Sequence, residues 1–117
     1  MKKKYSFFKN ASYAFAGVKR ALNESAFRLE FFISIPLIIF ALIYPFSLYE
    51  KAFLIGAILI VFIAECINTA IECVVDLATA KFHSLAKDAK DLGSAGVFFS
   101  LILAGLIWGA ILIKEFL

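Results

Sequence analysis

The sequence predicts an all-α membrane protein, with an amphipathic surface helix followed by three transmembrane helices. Three observations predict it. Of the 117 residues 63% are hydrophobic, and the mean hydropathy is +0.94. A soluble domain is only about 45–50% apolar, and so small a globule has no interior able to hide the excess. Second, three apolar runs are long enough to cross a bilayer once their flanks are added. Third, the charges are segregated. Seven of the twelve Lys and Arg residues precede Phe31, against only Glu24 and Glu30. One domain over residues 1–117 is expected, without a cleavable signal segment, because no compact apolar core with a small-residue cleavage site follows the basic start.

The first element covers residues 1–30. On a helical wheel Phe7, Phe8, Ala11, Ala14, Phe15, Val18, Ala21 and Leu22 fall within an arc of about 140°. Lys9, Ser12, Tyr13, Lys19, Arg20, Asn23 and Glu24 fill the other side. Such a helix lies on a membrane surface with its basic residues toward anionic lipid. The alternative is a soluble helix packed on a partner. The first span runs from about 31 to 49, with Ser34 and Pro36 inside it. The second begins near Glu50 and runs to about Phe82, long enough to project past the hydrocarbon at about 1.5 Å per residue. The third, residues 92 to 114, contains twenty-two uncharged residues from Leu92 to Ile113. Tyr44, Tyr49 and Trp108 are suited to the headgroup level. Basic residues cluster in the N-terminal arm and in the Lys81–Asp91 stretch, while Pro45–Lys51 holds one Lys. The charge bias therefore places the N-terminus in the cytoplasm and the C-terminus outside.

The chemistry concentrates where the second span reaches the cytoplasmic side. Ala52–Ala64 is apolar apart from one glycine, and then come Glu65, Asn68, Glu72 and Asp76. With Glu65 at zero, Asn68 falls at about −60°, Glu72 at about −20° and Asp76 at about +20°. His83 joins the same stripe if the helix continues that far. A carboxylate facing lipid costs roughly 2.5–3.5 kcal/mol, so the row faces protein, a water-filled cavity or a bound ion. Carboxylates at this spacing bind a divalent cation or act as a base. Mg²⁺ takes oxygen ligands, usually one or two protein carboxylates besides phosphate. The competing readings are a structural network with Lys81, Lys87 or Lys90, and an ion pathway.

A second constellation, Ala86–Gly96, sets a basic–acidic turn before Gly93, Ser94, Ala95 and Gly96. If it opens the third span, the helix N-terminus favours phosphate and Lys90 adds a point charge. An ordinary cytoplasmic loop is the alternative. There is no G-x-x-x-x-G-K-[ST] loop and no protein-kinase glycine loop. Cys66 and Cys73 match no zinc or redox spacing and read as filler. Gly105–Gly109 is a weak G-x-x-x-G packing match.

The run Glu65-x-x-Asn68-Thr69-Ala70-Ile71-Glu72-x-x-x-Asp76, then Ala89-Lys90-Asp91-x-Gly93-Ser94-Ala95, resembles the bacterial diacylglycerol kinase family. Asn23-Glu24-x-Ala26-Phe27-Arg28-x-Glu30 resembles it too, so the likeness spans essentially the whole chain. The family includes undecaprenol kinases; the Gly-Ser-Ala form, the His83 stretch and the arm look closer to the diacylglycerol branch. The resemblance implies a homotrimer with sites shared between neighbouring subunits, and transfer of the ATP γ-phosphate to a lipid hydroxyl in the bacterial inner membrane. It implies Glu65 as general base, Glu24 and Glu72 as ligands of the Mg²⁺ on ATP, and Tyr13, Lys81, Phe82, His83, Lys90 and Asp91 as further ATP contacts. Asn10, Ala11, Tyr13, Phe15, Lys19, Ala26, Arg28, Glu30, Glu65, Asn68 and Ser94 match its lipid-substrate positions, and Asp76 borders the pocket. Where relatives carry an arginine early in the arm this chain has Ser6; Lys2, Lys3, Lys4 or Lys9 are substitutes. No nucleic-acid partner is expected. Outside the kinase class, the stripe would suit a small oligomeric ion or proton conductor, which needs polar residues through the full bilayer depth. Ala52–Ala64 offers none.

Overall fold

The computed structural model describes residues 6–117. It is built of four helices: α1 Phe7–Ala21, α2 Ser25–Ile43, α3 Leu48–Ala78 and α4 Ser84–Phe116. The last three are each long and apolar enough to cross a membrane. Lys2, Lys3 and Lys4 lie outside the described residues.

Local chemistry sets each boundary. Ser6 caps α1, its hydroxyl accepting from Lys9 N at 3.4 Å, and Lys19 and Arg20 sit in the last turn, where a positive charge suits the helix dipole. The chain leaves helix for only Leu22, Asn23 and Glu24 before α2 begins. Residues 25–30 therefore belong to the spanning helix and not to the surface segment. α2 ends at Ile43, not at 49, because Pro45 drives the preceding Tyr44 into extended backbone at ψ 142°. Ser47 opens α3 with a reciprocal capping box: its hydroxyl accepts from Glu50 N, and Glu50 Oε1 accepts from Ser47 N.

The α3–α4 connection is shorter than the sequence reading held. α3 stops at Ala78, not Phe82, and Thr79 is extended at φ −154° and ψ 134°. Its hydroxyl accepts from Lys81 N and donates to Lys81 O, a local turn that competes with helix. His83 caps α4, Nδ1 accepting from Leu85 N at 3.1 Å. The third span thus begins eight residues before Leu92, and most of Lys81–Asp91 is helix.

α4 lies along α3 as the main contact of the bundle, and α2 and α1 each pack on α3. Phe27 and Phe31 of α2 close on Phe62, with ring centroids 5.2 and 6.0 Å away. Trp108 lies against α3, where its indole N–H donates to Leu54 O at 3.0 Å. At the far end Tyr44 packs on Phe40, Phe46 and Phe116, and Lys114 pairs with Glu50 at 3.0 Å. The core is small: Ala41, Phe46 and Leu54 are its centre. Large apolar side chains such as Phe32, Ile39, Phe53, Ile63, Phe98 and Leu106 stay exposed along the spans. Hydrocarbon or neighbouring subunits suit that surface, and water does not.

Candidate functional site

The candidate side chains of α3 and α4 collect toward the end of the bundle where α3 ends and α4 begins. α3 remains helical through Glu65, Asn68, Glu72 and Asp76, so all four keep one stripe. Neighbouring helices treat each member differently. Glu65 is buried at 7% exposure, and the Glu30 carboxyl of α2 lies beside it, its Oε2 buried without a hydrogen-bond partner. The Phe27–Phe31–Phe62 cluster one turn away seats this pair. Asn68 donates from Nδ2 to Glu72 Oε1 at 2.8 Å, while its Oδ1 is buried without a partner. Gly93 of α4 explains how Asn68 fits: a Cβ built there would run into Asn68 Oδ1. Asp76, farthest toward the surface, takes Lys90 Nζ at 2.7 Å. Of the pairings with Lys81, Lys87 or Lys90 that the sequence offers, Asp76 makes the one with Lys90. Lys87 pairs instead with Asp91.

His83 does not join the stripe, because α3 ends five residues before it. It lines a polar cleft of about 440 Å³ between the end of α3 and the first turns of α4, with Asp76, Lys81, Phe82, Lys90 and Asp91. Five residues that the resemblance assigns to ATP thus share one concavity, and Tyr13, Glu24 and Glu72 do not line it. Lys90 sits well inside α4 and not at its N-terminus, which falls at Ser84–Lys87. Gly93–Gly96 likewise lie within the helix, more than two turns from its start. There Gly93 and Gly96 border an apolar groove of about 500 Å³ between α3 and α4, with Asn68 among its lining residues. Ser94 is exposed.

Glu24 is the N-cap residue of α2, but its side chain makes no capping bond. Arg20 holds it, Nη1 to Oε1 at 2.9 Å. That bond, together with the negative charge of Glu24 and a contact with Cys73, raises the guanidinium's affinity for its proton. Arg20 Nη2 also reaches Cys73 Sγ of α3 at 3.8 Å. Arg28 closes the same turn from the other side by donating to Leu22 O at 3.1 Å. Arg20 is absent from the residues that motif matching selects. Its signal was the i,i+4 spacing to Glu24, which carries across the break between two helices. Asn10, Tyr13, Phe15 and Lys19 are exposed on α1, Ala11 is half-buried there, and Ala26 is exposed on α2.

No three His, Cys, Asp or Glu side chains converge among the described residues. Mg²⁺ does not require them: one or two carboxylates beside phosphate oxygens complete its usual shell. Glu72, oriented by Asn68, and Glu24, with one oxygen free of Arg20, have the donor chemistry that fits. Among the described residues, no polar path runs through the middle of the bundle. Ser34 and Ser100 are buried there, and each bonds back to a carbonyl of its own helix, Phe31 O and Val97 O, at 2.6 Å.

Three helices long and apolar enough to cross a membrane, with the candidate side chains gathered toward one end of the bundle, define the class, a multi-pass membrane protein. The profile of the prokaryotic diacylglycerol kinase family matches residues 12–112. A diacylglycerol kinase of Haemophilus influenzae is 38% identical over 104 residues, covering 88% of each chain. One of Escherichia coli K12 is 35% identical, covering 92% of this chain and 89% of its own. One of Helicobacter pylori 26695 is 37% identical over 94% of this chain and 87% of its own. The chain belongs to the prokaryotic diacylglycerol kinase family.

Proposed function

We propose that this protein transfers the γ-phosphate of Mg·ATP to the hydroxyl of diacylglycerol, forming phosphatidic acid at the cytoplasmic face of the bacterial inner membrane. The observation that carries the reading is the gradient along α3, from a buried carboxylate at Glu65 to ion-paired and exposed groups at Asp76. A lipid hydroxyl arrives from the bilayer and a triphosphate from water, and this row spans the boundary between them. Glu65 takes the hydroxyl proton as the alcohol oxygen bonds to the γ-phosphorus and the bond to the β-phosphate oxygen breaks. ADP leaves. Glu30 lies beside the buried Glu65 where α2 packs on α3. Glu72 and Glu24 would hold Mg²⁺, which would supply positive charge to neutralise the phosphates. The Lys81–Asp91 cleft receives the rest of the nucleotide, with Lys90 as its cation. Ser94 and the exposed residues of α1 border the lipid.

The arm lies on the membrane surface and the N-terminus is cytoplasmic. The active unit is a homotrimer whose sites combine the arm of one subunit with the α3 stripe of its neighbour. Two features support this. The chain leaves extensive apolar surface along its spans, and α1 packs on the Cys66–Cys73 flank of α3, about 80–100° from the stripe on the helical wheel. Glu24 is thus carried beside its own stripe and not over it.

The test is radiolabelled phosphate transfer from ATP in detergent micelles, with diacylglycerol and undecaprenol in competition. Label in phosphatidic acid at a clear excess supports the assignment. Label mainly in undecaprenyl phosphate reassigns the lipid, and label in neither product refutes the kinase reading.

A further inference from the structure

Arg20 stands where α1, the α1–α2 turn and α3 come together. Its guanidinium binds Glu24 Oε1 through Nη1 at 2.9 Å and reaches Cys73 Sγ through Nη2 at 3.8 Å. Both partners of the ion pair are about half exposed, 50% and 45%. The grip is monodentate, so Glu24 Oε2 carries no bond to Arg20. Two other routes to fixing Glu24 are not used: its side chain does not cap α2, and Arg28, four residues on, is committed to Leu22 O. A free glutamate at a helix start samples several rotamers, and each costs entropy to immobilise. A planar guanidinium anchored on a neighbouring helix removes that freedom better than an ammonium, because its donors are fixed in a fork.

We propose that Arg20 is a positioning residue: it fixes one oxygen of Glu24 against the α3 flank and leaves the other open to Mg·ATP. It touches neither lipid nor the reacting phosphorus. The inference rests on the assignment of Glu24 as a Mg²⁺ ligand, and its test separates the two.

Initial rates are measured in micelles at saturating diacylglycerol while Mg²⁺ is titrated at fixed ATP. The proteins are wild type, Arg20→Ala, Arg20→Lys, Glu24→Ala and the Arg20→Ala/Glu24→Ala double variant. Thermal unfolding with and without Mg²⁺ and a non-hydrolysable ATP analogue gives a readout independent of turnover. Expected is a rise of about fivefold in half-saturating Mg²⁺ for Arg20→Ala, the scale of one partly exposed ion pair, with much of the lost rate returning at high Mg²⁺. The Mg·nucleotide stabilisation shrinks in step. Arg20→Lys keeps the charge without the fork and falls between. On the Glu24→Ala background Arg20→Ala adds nothing further, because groups acting through one another are non-additive.

Multiplying effects in the double variant would overturn the inference, since Arg20 would then act without Glu24. So would a fall in maximal rate and unliganded stability with the Mg²⁺ titration unmoved. If Glu24→Ala shifts the titration and Arg20→Ala does not, this inference alone fails. If Glu24→Ala shifts nothing, the Mg²⁺ assignment of Glu24 fails with it.

Discussion

Glu65 is the residue on which the proposed chemistry depends, and its surroundings make a clean test possible. Glu65→Gln keeps the shape and the contact with Glu30 but cannot accept the proton. Turnover is expected to fall by roughly 10²–10⁴-fold, the usual loss for a general base, with ATP affinity and oligomer size retained. A variant that keeps more than about a tenth of the rate would exclude the role. Glu72→Ala is expected to raise the Mg²⁺ requirement, read from a Mg²⁺ titration of the rate, because a carboxylate oxygen leaves the shell. Gly93 gives a prediction that motif matching alone would not. A methyl at Gly93 meets the tip of the Asn68 side chain and not backbone, so the amide rotates away at little cost to stability. The Asn68–Glu72 bond is then lost. Gly93→Ala should therefore unfold near the wild-type temperature yet share the raised Mg²⁺ requirement of Glu72→Ala. A lowered unfolding temperature with an unchanged Mg²⁺ titration would show that Gly93 serves packing only.

At the scale of elements, the start of α4 decides how the cleft is built. If residues 81–91 were a loop, proline would be tolerated at Asp88. In the structure Asp88 lies in the second turn of α4, where its N–H belongs to the helix ladder. A proline there withdraws a donor and clashes with the preceding turn, costing about 3 kcal/mol. Ser84, the first helical residue, has no intrahelical bond to lose. Asp88→Pro is expected to depress thermal stability in micelles strongly, and Ser84→Pro to leave it nearly unchanged. At the opposite end of the bundle, Ser47→Ala removes half of a capping box and should cost about 1 kcal/mol, seen as a small shift in unfolding without change in Mg²⁺ dependence. The start of α4, which the sequence places too late, has its own cause. The Lys81–Asp91 charges look like loop, but Lys87–Asp91 is an i,i+4 pair on α4 and Lys90 has a partner across on α3. Hydropathy marks where a helix becomes apolar, and a helix need not begin there.

At the scale of the molecule, a bundle with a core this small and so much exposed apolar surface is suited to lipid and to other subunits. Mixing Glu24→Ala subunits with Glu65→Gln subunits is expected to restore activity above that of either alone. If the active unit is the proposed trimer, some mixed assemblies hold a site that draws an intact arm from the Glu65→Gln chain and an intact stripe from the Glu24→Ala chain. Activity no higher than the separate variants, despite demonstrated subunit exchange, would mean that each site is complete within one chain.

The sequence by itself determined the helical class, the three spans and the shared face of Glu65, Asn68, Glu72 and Asp76. These are local properties: hydropathy along the chain and a repeat of about 3.6 residues per turn. Their match to a known set of motifs also pointed to the family before any geometry was available. Only the tertiary structure decided what each member of the stripe faces. Glu30 meets Glu65, Gly93 makes room for Asn68, Lys90 neutralises Asp76 and Arg20 holds Glu24. The contacts of Glu30, Gly93 and Lys90 join different helices, and Arg20 bridges a helix end while leaning on α3. His83, in phase with the stripe on paper, left it because the Thr79 hydroxyl closes a turn with Lys81 and ends α3 early. Glu30, Gly93 and Lys90 each lie fourteen or more residues along the chain from the group they meet. Periodicity gives each helix its faces, and the packing of one helix on another chooses which faces meet.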